Sequence, residues 1–245
     1  MIKIINSDVI EALNTIEDDT IDLLFIDPPY NLNKKYKGTS DFWNTEKDYL
    51  DWCYQWLELG INKLKKDGSL YFMCSTQFYA YFDIFIRERL HIKSRIIWEY
   101  DSSGVQAKKH FGSLYEPIIF AVKNKNKYTF NYPDILVETK TGAKRKLIDY
   151  RKSPPAPYND KKVPGNVWHF PRVRFKMEEY VEHPSQKPEI LLERIVKVSS
   201  NESSVVLDLF AGSFSLGRVC KRLNRNYIGI EKSAEYSKLG NLRLK

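Results

Sequence analysis

Asp27, Pro28, Pro29 and Tyr30 are the residues whose types and spacing point most directly to chemistry. They follow an apolar run, Ile21 to Ile26, that only Asp22 interrupts, and such a run reads as a buried strand. Two successive prolines lack ladder donors and fix φ, so the strand must end at Asp27. An open α/β sheet binds its ligands just outside the carboxyl ends of its strands, where Asp27 and Tyr30 would stand. A carboxylate, backbone carbonyls held still by proline and an aromatic face together suit a planar base with an exocyclic amine. The oxygens accept the two N–H bonds of the amine and the ring stacks on the tyrosine. A rigid strand-to-loop turn with a surface tyrosine would use the same four residues, so other landmarks must decide.

The second landmark is Val205-Val206-Leu207-Asp208-Leu209-Phe210-Ala211-Gly212-Ser213, a buried strand entering a small-residue turn before a helix. Nineteen residues after Gly212, Glu231 ends the next strand, where an acid can take both ribose hydroxyls of an adenosine-containing cofactor. The turn lacks G-x-G-x-x-G, and Phe214 intrudes where a pyrophosphate would need bared N–H groups. S-adenosylmethionine, with ribose and adenine but no phosphate, fits better than NAD. An acid at a strand end also occurs for structural reasons alone, and it is the pairing of turn and acid that favours a cofactor.

The elements that position these residues read as alternating strands and helices. A short strand at 2–6 leads to Asp8, a candidate N-cap for a helix at 9–16. Residues 31–44 are polar, rich in Lys and Tyr, and read as a mobile loop. Tyr49, Trp52, Cys53, Trp56, Leu57, Leu59 and Leu64 follow helical spacing, with Lys66-Asp67-Gly68 as the stop before a strand at 69–75. A second aromatic helix at 77–90 follows, and both aromatic stripes read as core packing. The runs at 94–100 and 115–123 resemble a long hairpin whose loop carries Lys108, Lys109 and His110. Residues 123–180 are irregular and proline-rich, so tertiary docking must order them. From Lys187 the order is helix, strand, helix, strand, helix, which implies a parallel sheet with right-handed crossovers.

At 245 residues the chain suits one α/β domain with an insertion and needs no staples. Its three cysteines and four histidines show no metal or disulfide spacing, so no metal is expected. No run approaches the roughly 20 apolar residues of a membrane span, and no apolar leader opens the chain, so a cytoplasmic protein is expected. The net charge is +8, yet residues 121–176 alone carry fourteen Lys or Arg against four acids. The positive charge therefore belongs to one region, and a polyanionic partner should meet it there.

These landmarks carry a family resemblance. Asp27-Pro28-Pro29-Tyr30 resembles the catalytic loop of amino-methyltransferases acting on exocyclic nitrogens of bases, in the form typical of adenine N6 enzymes. Asp208-Leu209-Phe210-Ala211-Gly212-Ser213 resembles their cofactor loop D-P-F-x-G-S-G-T, and His183-Pro184-Ser185-Gln186-Lys187-Pro188 their H-P-T-Q-K-P element. Catalytic loop, insert, then cofactor loop is the permuted order of the beta class of bacterial DNA amino-methyltransferases. The resemblance implies a mixed, mainly parallel seven-stranded Rossmann-like sheet with helices on both faces and an inserted target-recognition region. Its parts would be 1–123 as catalytic half, 124–182 as recognition insert and 183–245 as S-adenosylmethionine-binding half.

The resemblance also implies roles. Asp27 and the Pro28 carbonyl would hold the target amine, with Pro29 stiffening the loop and Tyr30 stacking on a flipped adenine. Phe210, Ala211 and Gly212 would lie against the cofactor, with Asp208 supporting the loop and Glu231 on the ribose. Ser185 and Lys187 would take the methionine carboxylate. Asp8 would touch the cofactor adenine or simply cap its helix. Leu209 and Phe214 depart from the usual proline and second glycine, so contacts near the methionine end should differ. Arg145, Arg151, Arg172 and Arg174 are candidates for guanine edges or phosphates, and Lys108 and Lys109 for phosphates. Asp101-Ser102-Ser103-Gly104-Val105-Gln106 and Ile148-Asp149-Tyr150-Arg151-Lys152 resemble one branch, orphan adenine methylases reading a short palindrome. The expected partner is double-stranded DNA, methylated at adenine N6 in the manner of restriction-modification enzymes, with a homodimer suited to a palindrome. An N4-cytosine enzyme and a DNA-binding relative without catalysis are the alternatives.

Overall fold

In a computed structural model, which describes residues 1–100, 108–141 and 144–245, the run ending at Asp27 lies at the middle of an eight-stranded sheet. In chain order the strands are β1 (Ile2–Asn6), β2 (Ile21–Ile26), β3 (Leu64–Met73), β4 (His91–Glu99), β5 (Tyr115–Val122), β6 (Val167–His169), β7 (Val205–Asp208) and β8 (Asn226–Glu231). Across the sheet they run β1-β8-β7-β2-β3-β5-β4-β6. β5 is antiparallel to both neighbours and every other pairing is parallel.

Helices cover both faces, so the central strands are buried on both sides and carry continuous apolar runs. Leu24 and Ile26 of β2 face a core shared with α1 (Val9–Leu13), α2 (Glu46–Lys63) and α3 (Tyr79–Arg87). Leu23 and Phe25 face the other core, under α4 (Glu189–Ser199) and α5 (Ser215–Arg222). A last helix, α6 (Ala234–Arg243), follows β8. Asp22, the one polar residue in β2, is satisfied by the Lys65 ammonium at 2.8 Å and the Val205 N–H at 2.7 Å.

The sheet has one strand more than the seven expected. The extra strand, β6, pairs with Ile97–Glu99 at the edge of β4, and the Trp98 indole N–H donates to the Phe170 carbonyl at 2.9 Å. Three residues between Pro164 and Pro171 are too few for a readable period, and pairing with β4 is what makes them a strand. The expected helix stop at Lys66-Asp67-Gly68 falls instead inside β3. α2 already ends at Lys63, because Leu64 turns extended, and the register with β2 shifts between Ile21 and Leu23. Gly68 permits this close approach, since a Cβ there would lie 3.0 Å from the Ile21 and Lys65 carbonyl oxygens.

β4 and β5 form the expected hairpin, with Glu99 opposite Tyr115. The motif Asp101-Ser102-Ser103-Gly104-Val105-Gln106 lies outside the described residues. Between β5 and β6 regular structure is sparse: a short 3-10 turn (Tyr132–Ile135) and two small ribbons, Val137–Glu138 with Lys161–Lys162 and Ile148–Asp149 with Ala156–Pro157. The Asn131 side-chain amide anchors this stretch by donating to the Lys197 and Ser200 carbonyls at the end of α4. Among the described residues no helix is long and apolar enough to cross a membrane.

Candidate active site

β2 and β7 are adjacent and parallel although their paired residues lie up to 183 positions apart. The Leu209 N–H donates to the Phe25 carbonyl at 3.3 Å and carries the pairing past the end of β7, so the loops at Asp27 and Phe210 leave the same sheet edge together. Here the strand order reverses, which is where an open α/β sheet makes its ligand crevice. A cavity of about 370 Å³ opens at this point. Asp27, Pro28 and Pro29 line it on one side, Phe210, Gly212 and Glu231 on the other, and Asp8 and Ser185 complete its polar wall. Lys187, Asp208 and Ala211 border a smaller recess of about 30 Å³ that shares Asp27, Ser185 and Gly212 with it.

At the β2 end the chemistry is ionic. Asp27 receives the Tyr30 hydroxyl at 2.6 Å on one oxygen and the Lys187 ammonium at 2.6 Å on the other. Glu116, the second residue of β5, lies 3.1 Å from the same hydroxyl and 3.4 Å from the same ammonium. Burial alone would lower the Lys187 ammonium, but the Asp27 and Glu116 carboxylates outweigh it and the net shift is upward. Burial, reinforced by those carboxylates, pushes the Tyr30 phenol well above its usual range, so it stays a donor. Burial and the charge on Lys187 hold His183 down at about 4, and its imidazole is neutral at neutral pH. The Tyr49 hydroxyl donates to the Pro29 carbonyl at 2.8 Å and fixes the loop from below.

Three placements, those of Tyr30, Trp52 and Lys187, differ from the sequence reading. Tyr30, expected to present its ring to a base, is only 8% exposed and lines neither cavity. Aromatic walls come instead from Tyr36, Trp43 and Trp52, of which Trp52 belongs to the stripe read as core. Lys187, expected on a ligand carboxylate, is paired with Asp27 and Glu116, and its ammonium also reaches the Ser185 carbonyl at 3.4 Å. Glu116 went unread. The available signal was an acid at the second position of an otherwise apolar strand.

At the β8 end the backbone supplies the donors. Glu231 accepts the Gly212 N–H at 2.8 Å on one oxygen and the Ser233 N–H at 2.7 Å on the other. Burial raises its pKa, and these bonds oppose the rise. Gly212 has φ +47°, and a Cβ there would lie 2.8 Å from the His183 ring, so only glycine fits the turn. Asp208 supports the loop from within. Its oxygens accept the Tyr227 hydroxyl at 3.0 Å and the Phe210 N–H at 3.3 Å, and burial pushes its carboxyl up to about 7. Asp8 both caps α1, accepting the Ile10 N–H at 3.0 Å, and faces the cavity. Its second oxygen lies 3.2 Å from the Lys232 ammonium. Ser185 touches the Tyr36 hydroxyl at 3.4 Å.

Phe214, in place of the usual second glycine, lines neither cavity. Its backbone takes the left-handed conformation, φ 58°, that a glycine would adopt, and its ring is fully buried. A Cβ on Gly240 would meet that ring at 2.5 Å, which shows how closely α6 covers it. The strain at such a residue is on the order of 1 kcal/mol, and burying the ring offsets it. Leu209, in place of the usual proline, contributes the N–H bond to Phe25 that a proline could not make.

The basic candidates stand outside the cavity. Lys108, Lys109, Arg145 and Arg174 are exposed. Arg151 is held by Asp149 through two bonds of 2.8 and 3.0 Å, and the Arg172 guanidinium lies 4.8 Å from the centre of the Tyr100 ring.

Comparison with known proteins agrees with this geometry. A family model described as DNA methylase, covering N6 and N4 enzymes, matches residues 21–241. The DNA adenine methyltransferase YhdJ of Escherichia coli (strain K12) is 53% identical over 241 residues, 98% of this chain and 82% of that protein. The type II methyltransferase M.HpaI of Haemophilus parainfluenzae is 36% identical, over 99% of this chain and 74% of that one. Among solved structures, the M1.HpyAVI-SAM complex superposes with a TM-score of 0.70 at 24% identity, covering 100% of both chains. The cytosine-N4-specific PvuII DNA methyltransferase gives a TM-score of 0.73 at 18% identity, covering 100% of this chain and 86% of that one, and both show the shared fold. An acid-tipped central strand beside a glycine turn, matched by the family across nearly its whole length, makes this chain a member of the N6/N4 DNA methylases.

Proposed function

We propose that the chain is a site-specific DNA methyltransferase that moves the methyl group of S-adenosylmethionine to N6 of adenine in duplex DNA. The observation that carries this reading is one cavity with Asp27 and Pro28 at one end and Glu231 at the other. Glu231, fixed by two backbone N–H groups, keeps lone pairs for two ribose hydroxyls, while Phe210 and Gly212 give the cofactor a flat, close wall. The turn offers no row of bared amides for a pyrophosphate, which suits a phosphate-free nucleoside. When bound, S-adenosylmethionine supplies an electrophilic methyl group.

The protein's own part is to hold and orient the amine. An adenine amine is a poor nucleophile because its lone pair is delocalised into the ring. Asp27 and the Pro28 carbonyl accept its two N–H bonds and favour the tetrahedral nitrogen of the attacking state. Such alignment can supply up to roughly 7–11 kcal/mol of barrier reduction, with fixed dipoles adding to it. Lys187 and Tyr30 hold the Asp27 carboxylate in place, and Ser185 is the remaining polar group for the methionine end. The target amine is shielded in a duplex, so the adenine must flip out, and Tyr36, Trp43 and Trp52 offer aromatic walls to receive it. An aspartate at position 27 and the 53% identical relative named for adenine both favour N6 over N4 of cytosine.

Residues 124–182 serve as the recognition insert, with Arg145, Arg151, Arg172 and Arg174 toward bases or phosphates and Lys108 and Lys109 toward the backbone. A cytoplasmic location and a two-fold dimer on a palindromic site belong to the same reading. The test is label transfer from methyl-tritiated S-adenosylmethionine to unmethylated genomic DNA, with nucleoside digestion and chromatography. The expected product is N6-methyladenine. A peak at N4-methylcytosine would change the base, and unlabelled DNA would refute the function.

A further inference from the structure

Phe111 is 102% exposed, the most exposed large apolar side chain among the described residues. It has no ring partner among those residues, whereas the exposed Phe175 packs on Tyr180 at 5.5 Å. Its place in the fold is specific. β4 ends and β5 begins at the same sheet edge as Asp27, and the Tyr100 N–H to Leu114 carbonyl bond, 3.0 Å, extends their ladder toward the loop. Two residues beyond Leu114 is Glu116, already in contact with Tyr30. Phe111 is three residues from Leu114 on the other side, a reach of at most roughly 11 Å. The Ser113 hydroxyl bonds the Tyr115 carbonyl at 3.2 Å and ties down the stem. Lys108, Lys109 and His110 precede the ring and are exposed, so an exposed apolar ring stands beside cations.

An exposed apolar ring preceded by lysines fits a partner with anionic rails and an apolar stack between them, which describes duplex DNA. Flipping a base leaves a gap in that stack, and apolar side chains inserted at base steps are a general way to open and hold such gaps. We propose that Phe111 enters the duplex beside the target adenine and occupies the space the flipped base leaves, with Lys108 and Lys109 on the adjoining phosphates. This rests on the adenine-methylation reading above. Phe111 touches neither cofactor nor amine, so it acts on the duplex and not on the chemistry.

The test uses a synthetic duplex bearing the target sequence mapped from the enzyme's own methylation of genomic DNA. It is made in two forms, one with thymine and one with an abasic residue opposite the target. Phe111→Ala should lower turnover on the paired duplex at least tenfold and recover to within about threefold of wild type on the abasic form, where no pair needs breaking. Phe111→Trp should keep most of the activity on both. 2-Aminopurine at the target position should brighten on binding wild type and stay dim with Phe111→Ala. The melting temperature should not move, since the side chain is fully exposed. Equal turnover of Phe111→Ala and wild type on the paired duplex overturns the wedge. So does an equal loss on both duplexes, or a dimer that the substitution dissolves while methylation persists. If wild type methylates neither duplex, the adenine reading itself fails, a result separate from all of these.

Discussion

Asp27 and Glu231 both sit at the carboxyl end of a buried parallel strand and open on the same cavity, yet their oxygens are satisfied in opposite ways. Asp27 is met by two side chains, a buried lysine and a phenol, both of which it shares with the Glu116 carboxylate. Glu231 is met by two backbone N–H groups whose positions the Gly212 turn and the start of α6 dictate. Side-chain donors can exchange partners as a substrate amine arrives, and backbone donors cannot. The first arrangement suits a group whose hydrogen bonds change during a reaction. The second suits a group that must hold a sugar in one pose.

Asp27→Asn strikes the exchangeable end. Methyl transfer should fall by roughly a thousandfold, the scale set by losing a preorganised polar contact to the reacting group. Calorimetric affinity for S-adenosylmethionine should stay within about threefold, under 1 kcal/mol. A matching loss of affinity would break the division between the two ends. Lys187→Met comes next, since it leaves two largely buried carboxylates without their cation. Removing one partner of such a group costs about 3–5 kcal/mol, readable by chemical denaturation, and adding Glu116→Gln should restore part of it. A cost below about 1 kcal/mol, the range of exposed pairs, would mean the cluster is solvated.

Glu231→Gln strikes the fixed end. It sets an amide N–H against the Gly212 or Ser233 N–H, and cofactor affinity should drop about 10- to 50-fold, or 1.4–2.3 kcal/mol. Turnover at saturating cofactor should hardly change, and a selective fall in turnover would reverse the assignment. The smallest effect concerns Asp208, whose folded pKa of about 7 lies above its unfolded value. The native state therefore holds more protons between about pH 4 and pH 7, and stability declines as pH rises through that window before levelling off. Asp208→Asn should flatten that part of a melting-temperature profile between pH 4.5 and 8. An unchanged slope would show that Asp208 does not contribute to it.

How much of this was legible depended on whether a residue's role is set by its chain neighbours. β2 and β7 were readable as continuous apolar runs, and the breakers after them, Pro28-Pro29 and Gly212, fixed where each strand opens on solvent. The acid at Glu231 followed from its distance along the chain. Glu116 was hidden because its significance comes from Tyr30 and Lys187, residues 86 and 71 positions away. Trp52 shares a helical stripe with Trp56, and periodicity does not tell a core face from a cavity wall two rings wide. β6 owes its existence to the edge of β4, which no local pattern announces. Phe214 was legible only as a departure from glycine, while its left-handed backbone and its buried ring are set by the helices around it.

The adjacency of β2 and β7 has a bearing on how the protein is made. A ribosome releases β2 early, but its neighbour follows 183 residues later, and β1 must wait longer still for β8. At about 5–20 residues per second the interval is roughly 10–40 s, during which the apolar edge of β2 has no partner on that side. Termination between His169 and Val205 would therefore leave both edge strands, β1 and β6, and remove β7 and β8 from between β1 and β2. Translation itself acts as the switch: no length of nascent chain short of the last strands can assemble the methyl-transfer crevice.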